Sequence, residues 1–131
     1  MKKLLTLAFI ILATTQFTFA QQAIAKIKYE EAEEAYAANN FELTVTKLNE
    51  VEALLKSTNP RVMYLKIMAQ NAIINNNPYK DFEILKSIRY LSAKYLKDYE
   101  NVPNNEDKFR DIYKVAEVLK DLPADEARFI F

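Results

Sequence analysis

Glycine, cysteine, histidine and tryptophan are all missing from this chain of 131 residues, and each absence removes a class of chemistry. Without glycine there is no loop of the P-loop or dinucleotide-binding kind, because those loops need backbone positions that only glycine tolerates. Without histidine or cysteine there is no thiolate or imidazole nucleophile, no Ser-His-Asp relay, and no ordinary ligand set for zinc, haem or an iron–sulfur cluster. No cofactor is expected. Without cysteine there is also no disulfide and no N-terminal lipid attached through a thiol, so packing alone must hold the fold.

An excess of charge is missing too. Eighteen basic residues balance eighteen acidic ones. Setting aside Lys2 and Lys3 of the N-terminal segment leaves 16 against 18, a net −2. Nucleic-acid binding shows itself as clustered Lys and Arg, so this balance argues against a nucleic-acid partner. Half of the residues are apolar and 27% charged, which suits one globular unit of ordinary composition.

Residues 1–20 read as a cleavable signal peptide. Lys2 and Lys3 form a positive start, Leu4 to Ala13 an apolar run, and Thr14 to Ala20 a more polar end with small residues at Thr18 and Ala20. This is the pattern of a secretory signal. It predicts cleavage between Ala20 and Gln21, with export to the periplasm or the cell surface. The apolar run is about half the roughly 20 residues that a membrane span needs, so no stable span is expected after cleavage. The short Lys-Lys start and the Ala-Gln-Gln junction are of a bacterial kind.

Residues 21–123 read as about five helices. Ala25, Tyr29, Ala32 and Tyr36 recur at spacings of four and three, which predicts a helix over Gln22 to Ala38. Asn39 and Asn40 stop it, since in a chain without glycine Asn best tolerates the left-handed turn and also caps the next helix. The second helix, Phe41 to Lys56, carries Phe41, Val45, Leu48, Val51 and Leu55 on one side. Asn59-Pro60 and Asn77-Pro78 each place an N-cap before the one helical position where Pro is favourable, and so predict helices over Pro60 to Ile74 and Pro78 to Tyr99. The former is apolar almost all round, the mark of a central helix. A fifth helix spans about Glu106 to Lys120, with Phe109, Ile112, Ala116 and Leu119 inward. Residues 124–131 form a tail or the start of a further helix, and end on Phe129-Ile130-Phe131. Such a tail either docks on the last helix or leads into a further domain.

Ala32 to Pro60 resembles a tetratricopeptide repeat. Ala32 takes the small position of the first helix, Ala35-Tyr36 falls near its aromatic position, and Asn39-Asn40-Phe41 stands where the family has Gly-Asp-Tyr. Leu48 and Val51 fall near the aromatic and small positions of the second helix. Thr44 stands where the family usually has Ala, and Pro60 comes a few residues late. Phe41 and Pro78 lie 37 residues apart, near the family period of about 34. The resemblance implies an all-α fold of antiparallel hairpins stacked as a short right-handed superhelix. It also implies a groove on the first, third and fifth helices for an extended peptide or a partner helix. Candidate groove residues are Tyr29, Tyr36, Tyr64, Gln70 and Asn71, with ordinary packing between helices as the alternative role for the tyrosines.

Two clusters of like charge need weighing. Glu30, Glu31, Glu33 and Glu34 are the densest carboxylates; without histidine they lack the partner of a di-iron site and read as a solvated face. Lys86, Tyr90, Lys94 and Lys97 make a basic strip that reads as a solvated face as well. The function these features imply is an exported, non-enzymatic protein–protein interaction module with a protein or peptide partner. The alternative is the N-terminal helical domain of a larger exported enzyme or receptor.

Overall fold

In the computed structural model the backbone is described for residues 2–79 and 81–123, and side chains from residue 18 onward apart from residue 80. Five helices follow one another: α1 (Lys2–Ala37), α2 (Phe41–Leu55), α3 (Pro60–Asn76), α4 (Phe82–Asp98) and α5 (Glu106–Leu119). No strand occurs among the described residues. The backbone is helical on both sides of the Ala20–Gln21 junction. The tail of residues 124–131 lies outside the described residues. Among the described residues no helix is long and apolar enough to cross a membrane.

The first turn forms as the two asparagines dictate. Asn39 sits in the left-handed region at φ 60°. The Asn40 and Asn39 amides donate back to the Ala35 and Tyr36 carbonyls at 2.8 and 3.0 Å, the paired bonds of a Schellman ending. Asn40 then caps α2, its side-chain oxygen accepting from the Leu43 amide. The same economy recurs at α3, where Asn59 accepts from the Val62 amide at 3.0 Å and Pro60 opens the helix.

At α4 the repeated device fails. Asn77 is the residue after α3, extended at φ −157° and ψ 97°, and its side chain accepts from the Tyr79 amide. A residue before Pro is pushed out of the helical region, and an Asx turn satisfies it there. Asp81 caps instead, accepting from the Glu83 amide at 2.9 Å, so α4 starts at Phe82 rather than Pro78.

Each helix packs on the next, and α3 also touches α1 and α5. Ion pairs fix the first hairpin as antiparallel: Lys28 meets Glu50 at 3.2 Å while Glu31, further along α1, meets Lys47, earlier on α2, at 2.7 Å. Two apolar cores result. Ala25 and Ala32 of α1 pack with Leu48 and Val51 of α2 and with Val62 and Leu65 of α3. Met63, Ile67 and Ile74 of α3 pack with Leu85, Ile88 and Tyr95 of α4 and with Ile112, Val115 and Leu119 of α5. Thus α3 supplies both cores, which is why its sequence is apolar on nearly every side. Its buried cation, Lys66, is paired with Glu52 of α2. Thr44 is fully buried as well, and its hydroxyl donates to the Asn40 carbonyl at 2.9 Å.

Candidate partner-binding face

The three candidate tyrosines lie on the alternate helices, and each is half-buried. On α1, Tyr29 lies beneath the Arg61 guanidinium of α3, 4.8 Å from ring centroid to carbon. Arg61 also reaches Glu33 of α1 at 3.7 Å. Burial raises the Tyr29 phenol above its ordinary range, and the Glu33 carboxylate adds to the rise. Tyr36, two turns on, packs against the first core and sets the edge of its ring on Phe41, with centroids 5.4 Å apart. On α3, Tyr64 donates its hydroxyl to Asp111 of α5 at 2.8 Å, and Lys108 of α5 lies 5.3 Å from its ring centroid.

Two groups of aromatic and charged side chains therefore bridge alternate helices, Tyr29 with Arg61 and Glu33 between α1 and α3, and Tyr64 with Lys108 and Asp111 between α3 and α5. Arg61 and Lys108 are exposed, so the cationic groups over the rings also face solvent. At the α1 end, Gln22, Lys26, Tyr29, Leu55, Arg61 and Val62 contribute to an open cleft of about 230 Å³. Gln70 does not share this setting. It is 5% exposed, and its amide donates to Ser87 of α4 at 3.0 Å, so its side chain is committed to joining α3 to α4. Asn71 is half-buried.

No strong sequence pattern marks Arg61, Lys108 or Asp111, and Glu33 stands out in the sequence only as a member of the acidic cluster, not as the partner of Arg61. The i, i+3 spacing of Lys108 and Asp111 on one helix is a weak signal, and nothing local ties either to Tyr64.

Glu31 and Glu33 of the acidic cluster are engaged in ion pairs. Glu31 meets Lys28 and Lys47, and its carboxyl is held below its usual range chiefly by the hydrogen bond from Lys47. Glu33 faces Arg61. Among the described residues no group of three or more His, Cys, Asp or Glu side chains is placed to hold a metal ion. In the basic strip Lys94 pairs with Asp98 at 2.9 Å, and Tyr90 is exposed.

Tyr64 supplies a spectroscopic handle on this face. Burial first, then the hydrogen bond to Asp111, pushes its phenol well above the ordinary 10.0. Above that pH the unfolded phenol loses its proton while the folded one keeps it. The unfolded chain then binds fewer protons, and stability falls as pH rises. Phenolate absorbance against pH is expected to show a late-ionising group of tyrosines, to which Tyr29, Tyr95 and Tyr99 also belong, with an amplitude that falls by one phenol in Tyr64→Phe. The loss of stability above about pH 10 should also be less steep in that variant.

Comparison with protein-family models, with curated proteins and with solved structures returns no match to this chain.

Proposed function

We propose that the chain is an exported, non-enzymatic protein–protein interaction module, a short tetratricopeptide-like adaptor or scaffold of the bacterial envelope. In this reading cleavage between Ala20 and Gln21 releases residues 21–131 to the periplasm or the cell surface. The partner is a protein or peptide that lies along α1, α3 and α5.

The observation that carries the reading is the run of half-buried tyrosines under exposed cations on those three helices: Tyr29 with Arg61, and Tyr64 with Lys108. Rigid aromatics and guanidinium groups are what binding surfaces are enriched in. They offer apolar area at low entropic cost, and cations for a partner's carboxylates or carbonyls. The export step is supported by the sequence of residues 1–20, and the lack of enzymatic activity by the residue types the chain does not contain.

The test is capture from the native envelope with the exported protein as bait. A discrete protein partner is expected, and Arg61→Glu with Lys108→Glu should weaken its binding by about tenfold or more. Both side chains are exposed, so melting should move little. Unchanged binding in the double variant would show that the partner sits elsewhere, and failure to capture any protein with folded bait would remove the reading. Export has its own readout: the intact mass of the protein recovered from outside the cytoplasm should begin at Gln21.

A further inference from the structure

Among the described side chains of α1, Ala25 is the first to enter the apolar core. Gln22, Ala23 and Ile24 before it are exposed, and Gln21 is half-buried. While the helix runs on through the junction, the carbonyls of residues 17–20 accept from the amides of residues 21–24. Once those carbonyls are gone, residues 21–24 become a first turn whose amides have no partner within the helix. The setting is also positive. Gln22 shares its cleft with Lys26 and Arg61, and no acidic residue among the described ones lines it. The start of a helix carries partial positive charge, and the first acidic residue after the junction is Glu30, more than two turns on.

Resting on the cleavage proposed above, we infer that Gln21 is a modification site and that the exported chain begins with a pyroglutamyl ring. Cleavage turns the Gln21 backbone nitrogen into a primary amine. The glutamine side chain carries its Cδ where attack by that amine closes a five-membered lactam, so both reactants belong to one residue. The N–Cδ bond forms, the Cδ–Nε2 bond breaks, and the side-chain nitrogen leaves as ammonia with one proton from the amine. Nothing is oxidised or reduced, and no co-reactant is needed. Three features favour closure at this position. Only the uncharged amine attacks, and the positive end of α1, with Lys26 and Arg61 beside it, disfavours the ammonium. Closure also removes a positive charge from the end of the helix where it is least welcome. The ring breaks no core contact, because the core begins at Ala25, and a five-membered ring on the backbone nitrogen suits a first helical turn as that of proline does.

The test uses the protein recovered from outside the cytoplasm. Its amines are blocked by reductive dimethylation before any digestion, and a glutamate-specific protease then releases residues 21–30, which contain Lys26 and Lys28. The intact mass before blocking is expected to be one ammonia below that of unmodified residues 21–131. The released peptide should carry label on its two lysines and none on its terminal nitrogen. In Gln21→Ser, which cannot form the lactam, the intact mass should match the open chain and the terminal nitrogen should take label. A parent chain that begins at Gln21, retains the ammonia and labels at the terminal nitrogen overturns the inference and leaves export standing. A chain that begins at any other residue removes the proposed cleavage, and the ring with it.

Discussion

Ala32→Glu is expected to unfold the chain, or to cost it several kcal/mol, about 3–5, at neutral pH. Ala32 is fully buried in the first core, among Leu48 and Val51 of α2 and Val62 and Leu65 of α3. A methyl group is all the space allows where three helices converge. Glutamate there adds volume to a packed interior and carries a carboxylate into it without a partner. The nearby cations are already engaged: Lys28 and Lys47 by Glu31 and Glu50, and Arg61 by Glu33 and the Tyr29 ring. The measurement is thermal or urea unfolding followed by far-UV circular dichroism. A glutamate here is less costly at low pH, where it can be buried neutral, so stability relative to the unsubstituted chain should recover in part as pH falls from neutral towards the ordinary glutamate value of about 4.3. A melting temperature within a degree or two of the parent would place Ala32 on a solvated face and break the assignment of the first core.

Where one residue type has one physical role, the fold was legible beforehand. Asn39 and Asn40 could be read as a turn because no glycine competes for the left-handed position, and that turn forms. The apolar surround of α3 could be read as centrality, and α3 does supply both cores. The pair Asn77-Pro78 was ambiguous in principle. The same dipeptide serves as an N-cap with its first helical residue or as an Asx turn after a preceding helix. The choice fell to Asp81, a better-placed acceptor four residues on. Thr44 looked like a departure from a small apolar position. It is tolerated because its hydroxyl bonds to the carbonyl one turn back and brings no unsatisfied polarity into the core.

The candidate face was legible only in part, for a different reason. Helical periodicity places a side chain on a face but does not name its partner on another helix. Tyr64 and Asp111 are 47 residues apart, and Gln70 and Ser87 are 17 apart. Both polar residues sit on α3. One meets Asp111 and Lys108 of α5, the other is drawn into the contact with α4, and no local pattern separates the two outcomes. Lys66 is a further case: a lysine midway along an apolar helix gives no sign of its Glu52 partner on α2.

Tyr95→Ala is expected to cost about 3–5 kcal/mol, and the loss should appear first at the α5 end. Tyr95 is the largest fully buried side chain among the described residues. Its ring sets an edge against Tyr99 at 5.0 Å, and its hydroxyl accepts from the Asn105 amide at 2.9 Å. Asn105 is the residue before α5, yet its side chain makes no capping bond, because it is buried against Tyr95 instead. The phenol therefore holds the 99–105 connection onto α4 and fixes where α5 begins. Since α5 packs chiefly on α4 and less on α3, loosening this point leaves α1, α2 and the first core largely unaffected. In a stack whose helices meet mainly their neighbours, stability is close to a sum of local terms. Native-state hydrogen exchange should accordingly show α5 amides losing protection before those of α2 in Tyr95→Ala. Tyr95→Phe keeps the ring and removes only the hydroxyl, which both donates to and accepts from the Asn105 side chain. It strands the buried Asn105 amide and is expected to cost about 1–3 kcal/mol. If α2 and α5 lose protection together in Tyr95→Ala, the two cores unfold as one cooperative unit, and α3 couples them more tightly than its packing on each side implies.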